Sequence, residues 1–248
     1  MNVQFAIAEE SVYVLEVNPR ASRTAPFVSK AIGVPIAQLA ARVMAGKSLL
    51  ELGFTREVVP SHVSVKEAVF PFVKFPAVDT LLGPEMKSTG EVMGIDREFG
   101  RAYAKAQRGA GMDLPIRGTV LVSLRDEDKA SGAGALRVLR EEGFSLVATA
   151  GTAAYMRERG LDVQPIHKVR EGAPHTESLI SSGEVSLVIA TTRMGDASAV
   201  RDSASMRRAA LEAGIPYFTT VAGARAAASA IRALRAGEVQ PIALQDLH

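Results

Sequence analysis

Four apolar runs, GTVLVSL (118–124), SLVATAGT (145–152), VSLVIATT (185–192) and PYFTT (216–220), recur along the second half of the chain without alternating polar and apolar residues. A strand exposed on one face alternates, so unbroken runs of this kind predict strands buried on both faces. Amphipathic segments with helical spacing separate them: KASGAGALRVLREEG, TAAYMRERG, ASMRRAALEAG and ARAAASAIRALRAG, each closing on a glycine that suits a helix C-terminus. This order of strand and helix admits few folds. It predicts an α/β domain built on a doubly wound, Rossmann-like parallel sheet, with ligands held beyond the carboxyl ends of the strands, where helix N-termini also point.

Those carboxyl ends carry hydroxyls: Ser123, then Thr149 and Thr152 around Gly151, then Thr191 and Thr192, then Thr219 and Thr220. Hydroxyls beside the N–H groups of a helix start suit a phosphate, and Lys129 and Lys168 can supply positive charge. Threonine is common in strands and at helix starts for purely structural reasons. Agreement among four strand ends is what favours an anion site.

Upstream the pattern is less regular. The glycines and proline of AQRGAGMDLPIRG lie between a helix-like REFGRAYAKAQ and a strand-like TVLVSL. They predict an N-terminal part over 1–108, a linker over 109–116 and a C-terminal domain over 117–248. Apolar residues at helical spacing between Val34 and Leu52 predict a helix with Pro35 in its first turn. SVKEAVFPFVKFP reads as a strand that Pro71 and Pro76 confine to an edge or an exit, and GPEMKSTGEVMG (83–94) as a loop leading into a short strand. In YVLEVNPRASRT (13–24), Glu16 and Asn18 share one strand face, Arg20 follows the strand end, and Gln4 can face them across a hairpin closed by EES. So sparse an oxygen set suits Mg²⁺, which keeps several waters, while arginine neutralises a transferring phosphoryl group. An ordinary surface strand with ion pairs explains the same residues.

Zero cysteines exclude disulfides, thiolate metal sites and a cysteine nucleophile together. With Lys+Arg 29 against Asp+Glu 27, spread along the chain, nucleic acid is not an expected partner. No apolar run approaches the roughly 18 residues of a membrane span, and no basic start precedes an apolar core, so neither a membrane span nor a signal peptide is expected, and the chain is expected to be cytoplasmic.

VYVLEVNPRASRTAPFVSKAIGVPIAQLAARVMAGKSL and GPEMKSTGEVMG resemble the second ATP-grasp half of the large subunit of carbamoyl-phosphate synthase. From residue 117, LRDEDK, ATAGTA, HKVREG, ATT and RDSASMRRAAL resemble its C-terminal regulatory domain, of methylglyoxal-synthase-like fold. The resemblance implies an incomplete α+β ATP-grasp fragment, most of whose domain precedes Met1, followed by an allosteric domain. It implies that Gln4, Glu16 and Asn18 bind Mg²⁺ or Mn²⁺ where ATP phosphorylates carbamate, with Arg23 catalytic beside the phosphates. It implies that Glu67 contacts the activator ornithine, and that Ser123, Lys129, Thr149, Thr152, Lys168 and Thr192 hold the phosphate and sugar of an effector such as UMP or IMP. The implied partners are the remainder of the large subunit and a glutaminase small subunit, without nucleic acid or membrane. Three positions depart from the family pattern: Ala190 replaces an asparagine, Ala150 a histidine and Phe218 an aspartate. A phenylalanine cannot receive an ammonium group, so the phosphate part of the effector site is the part implied most directly.

Two other readings stay open. One is a freestanding module that senses a phosphorylated metabolite. The other is a lyase of the methylglyoxal synthase type, with Asp126 or Asp128 as base and His175 polarising a carbonyl, which leaves residues 1–116 unexplained.

Overall fold

The structure is a computed structural model and describes residues 1–74, 80, 82, 86–192 and 197–248. Pro76 and residues 83–85 of the expected loop lie outside the described residues. The chain divides into two compact units, Met1–His62 with Ile242–His248, and Val63–Pro241.

In the first unit, β1 (Asn2–Ala8) and β2 (Ser11–Asn18) form an antiparallel hairpin. Its two-residue turn puts Glu9 and Glu10 at φ 48° and 71°, the left-handed conformation that matches strand twist in a tight hairpin. Helix α1 (Thr24–Ile32) ends on Gly33 at φ 68°, and α2 (Ile36–Met44) follows with Pro35 as its cap. The second helix is shorter than the spacing to Leu52 suggests, because the chain turns at Gly46, φ 96°. Residues 242–248 return to this unit. His62 Nε2 lies 2.8 Å from Ala31 O and His248 Nε2 2.8 Å from Lys30 O, so two imidazoles cover the carbonyls that end α1. A Cβ at Gly33 would fall 2.6 Å from the His248 ring, so close docking and backbone conformation both require glycine.

The second unit opens with β3 (Val63–Val69) paired antiparallel with β4 (Gly90–Asp96) and covered by α3 (Phe99–Gly109). The strand ends before Pro71, as its missing N–H requires. Gly94 allows the close approach of α3: a Cβ there would overlap the Ala102 carbonyl oxygen and lie 2.5 Å from the Ala106 amide nitrogen. Residues 109–116, the expected linker, lie within this unit, where Leu114 joins the main core and α3 packs on the helix Val221–Ala236.

At the end of β4, buried Asp96 receives Lys105 Nζ at 2.8 Å and the Arg97 amide at 2.8 Å. Burial opposes its ionisation, yet the hydrogen bond and charge of Lys105, together with the Arg97 and Glu98 amides, outweigh burial and hold the carboxyl below its usual range. A carboxyl so lowered contributes stability above its unfolded pKa, about 3.9, and loses it as pH falls through the folded value. Asp96→Asn keeps the shape and removes the charge, so it is expected to cost about 1 kcal/mol in urea unfolding at pH 7. The deficit should shrink below about pH 4; a deficit unchanged at pH 3 would contradict this role.

The rest of the unit is a parallel sheet of β5 (Thr119–Ser123), β6 (Ser145–Thr149), β7 (Gln164–Ile166), β8 (Leu187–Ala190) and β9 (Tyr217–Phe218), in the order β7-β6-β5-β8-β9. Helices α4 (Asp126–Glu141), α5 (Ala150–Arg157), α6 (Thr176–Ser181), α7 (Ala197–Glu212) and α8 (Val221–Ala236) connect and cover it. One core holds Val120 and Val122 with Leu136, Phe144 and Ile231; the other holds Leu121 with Ile180, Val188 and Met206. Successive residues of β5 thus enter opposite cores, which is why its sequence is apolar without alternation. Among the described residues no single helix is long and apolar enough to cross a membrane.

Candidate functional site

Strand order reverses at β5, with β6 and β7 on one side and β8 and β9 on the other. The loops leaving β5 and β8 therefore diverge and open a crevice, the general ligand position in such sheets. A cavity of about 290 Å³ fills it, lined by all six residues expected of an anion site, Ser123, Lys129, Thr149, Thr152, Lys168 and Thr192. Thr176, Thr191, Asp202 and Ser203 complete much of the polar wall, and Ala190 and Met206 supply apolar surface.

The two helix starts at this rim differ. The first turn of α4 carries Asp126, Glu127 and Asp128, which already complement its positive end. The first turn of α5 has no acidic residue, and the side chain of its cap, Thr149, bonds none of its N–H groups. An anion is therefore favoured at α5. Lys129 points the same way: its side chain is only 12% exposed, and a Cβ at Gly151 would stand 3.4 Å from its Nζ. Asp126 holds that amine at 2.5 Å in a pair whose carboxylate is itself open to solvent. Lys168 is exposed and precedes the short turn Val169–Glu171.

Several hydroxyls are committed to the scaffold. Thr152 Oγ1 accepts the Leu124 amide at 3.0 Å and reaches the Leu124 carbonyl at 3.3 Å, so it ties α5 to the loop after β5. Thr191 Oγ1 accepts the Arg125 amide at 3.0 Å and ties β8 to that loop. Among the described residues Thr149 Oγ1 makes only long contacts, 3.4 Å to both Ser123 and Thr152, and can turn toward a ligand.

The fourth strand end departs from the expectation. Thr219 and Thr220 are exposed and outside the cavity, and Thr220 caps α8 by accepting the Gly223 amide at 3.0 Å. His175 is also a cap, its Nδ1 accepting the Ser178 amide at 3.2 Å at the start of α6. Arg125 bonds Asp128 at 2.6 Å; that bond first, with help from Thr191 and against partial burial, holds the carboxyl below its usual range. A carboxylate so held is a poor base. Thr176 and Ser203 are pocket residues without a sequence signal, because neither ends an apolar run.

Glu67 lies on β3, outside this cavity. Burial pushes its carboxyl up, with the Gln107 side chain pulling the other way. The Tyr103 hydroxyl is pushed up to about 12, by burial first and then by the charge of Glu67.

On the hairpin, Gln4 stands directly opposite Glu16, and Asn18 Nδ2 donates to Glu16 Oε1 at 2.6 Å. One carboxylate and two amides therefore share a strand face, an all-oxygen donor set that fits a hard cation with waters and phosphate oxygens completing its shell. Arg23 is exposed and immediately precedes α1.

Residues 1–52 match the family described as "Carbamoyl-phosphate synthase L chain, ATP binding domain", and residues 133–219 match "MGS-like domain". The carbamoyl phosphate synthase large chain of Rhizobium meliloti (strain 1021) is 56% identical over 249 residues, covering 98% of this chain and 21% of that protein. The large chain of Pseudomonas putida is 54% identical over 249 residues, covering 100% of this chain and 23% of that protein. A solved methylglyoxal synthase from Elizabethkingia anophelis NUHP1 superposes with a TM-score of 0.34 and 18% identity over 45% of this chain and 76% of that one. This chain spans about a fifth of the length of the curated relatives it matches. Over its whole length it corresponds to a C-terminal part of the carbamoyl phosphate synthase large chain, a segment of the ATP-binding domain followed by an MGS-like domain.

Proposed function

We propose that the chain is the C-terminal part of the large subunit of a glutamine-dependent carbamoyl-phosphate synthase, the ligase that makes carbamoyl phosphate from bicarbonate, glutamine-derived ammonia and ATP in the cytoplasm. In this reading it contributes one wall of the carbamate-phosphorylating site and the effector domain. The carrying observation is the crevice at the strand-order reversal, where Lys129, the start of α5 and Thr149 converge. A phosphate, as of a nucleotide effector, would lie there. Arg23 would stand beside the ATP phosphates, and Glu67 would offer its carboxylate to an amine effector such as ornithine. Gln4, Glu16 and Asn18 would hold Mg²⁺ or Mn²⁺. The metal would screen phosphate charge; the chain's own part is to present three oxygen ligands from one rigid strand pair.

The partners in this reading are the remainder of the large subunit, the glutaminase small subunit and a phosphorylated effector. Support for the first comes from the hairpin, where Phe5, Ile7, Val12, Tyr13, Val14, Leu15 and Val17 are all more than half exposed, on both faces of the ribbon. Surface of that kind calls for covering protein. Calorimetric titration of the chain with UMP, IMP, inorganic phosphate and ornithine tests the effector reading. A phosphorylated ligand is expected to bind, while Mg²⁺-ATP turnover by the chain alone is expected to be absent. Turnover abolished by Glu16→Ala, or no binding of any phosphorylated ligand, would overturn it.

A further inference from the structure

Ser203 and Arg207 stand one turn apart on α7, and both are 3% exposed. Ser203 Oγ sits between three groups: Thr192 Oγ1 donates to it at 2.6 Å, Arg207 Nη1 donates at 2.8 Å, and the Tyr217 hydroxyl lies 3.3 Å away. A serine hydroxyl has two acceptor positions and one proton. Thr192 and Arg207 fill the acceptor positions, so the Ser203 proton goes to Tyr217. Guanidinium has donors only and keeps its charge at every ordinary pH, so it cannot take that proton itself.

We propose that Arg207 is a positioning residue of the crevice: acting through Ser203, it fixes the Thr192 hydroxyl with its proton turned inward, so that Thr192 meets a ligand as a hydrogen-bond acceptor. This rests on the reading of the crevice as a phosphate-ester site. An ionised phosphate oxygen carries no proton to give, so the group at Thr192 is a hydroxyl on the carbon skeleton of the ligand. The phosphate itself belongs at the opposite end of the cavity, with Lys129 and the start of α5. Removing Arg207 frees one acceptor position on Ser203 and lets the hydrogen bond between Ser203 and Thr192 reverse.

The test uses the full chain with two probes, inorganic phosphate and ribose 5-phosphate, and reads the ratio of their affinities by calorimetry. Arg207→Met is expected to leave inorganic phosphate within about twofold and to lower the ratio about fivefold, the effect of one hydrogen bond. Arg207→Lys, again donor-only, is expected to restore most of it. Thr192→Val should lower the ratio equally, and the double variant with Arg207→Met no further. Ser203→Ala breaks the same relay with the guanidinium in place and decides the matter should Arg207→Met not fold. A parallel fall for both probes would make Arg207 merely structural and overturn the proposal, as would a loss of inorganic phosphate binding in Thr192→Val. Failure of the unaltered chain to bind either probe would instead remove the phosphate-ester reading, and the proposal with it.

Discussion

Lys129→Ala is expected to weaken binding of inorganic phosphate by about ten- to a hundredfold, since a hydrogen bond to a charged group contributes roughly 1.5 to 3 kcal/mol. The covered position of this amine keeps it from being screened by water, and Gly151 leaves room for it over the start of α5. Lys168 lies in the open, so Lys168→Ala should cost only about threefold, in line with exposed charges generally. Asp126→Asn carries the opposite sign. It removes the carboxylate that competes for the amine, and binding should tighten severalfold at low ionic strength. Calorimetry on the three variants checks the pattern. Parent-like affinity in Lys129→Ala would place the anion elsewhere.

Gly94→Ala is expected to destabilise the second unit by about 3 kcal/mol or more, because the added methyl meets backbone of α3 that cannot swing aside. Gly134→Ala makes the contrast: nothing lies within 4 Å of a Cβ there, in the middle of α4, so helix propensity alone predicts a gain of up to about 1 kcal/mol. Urea unfolding of the two variants separates steric from conformational effects of glycine. Equal stabilities for the two would refute the proposed close approach.

The sheet was legible because burial on two faces leaves a mark on sequence. Val120, Leu121 and Val122 are all at 0% exposure, and an uninterrupted apolar run is the record of that. Strand β7, three residues with a proline, and the six-residue α6 leave none; they are fixed by pairing with β6 and by packing against α7. The crevice was legible where its residues end strands, as Ser123, Thr149 and Thr192 do. Ser203 reaches it from a helix face with Arg207 behind it, and neither ends an apolar run. Only the register of α7 against the sheet turns those side chains inward. Thr220 shows the converse error: a strand-end hydroxyl consumed by the cap of the helix it precedes.

The imidazole of His248 against Lys30 O makes the first unit discontinuous in sequence, with residues 63–241 inserted between its two pieces. Synthesis makes the hairpin and α1 before residues 242–248, so the carbonyls ending α1 gain their second cover only once residue 248 has emerged. Residues 63–241 are complete before that. The N-terminal piece is thus completed only by residues 242–248, and a chain cut before them would keep residues 63–241 while leaving the carbonyls that end α1 only partly covered.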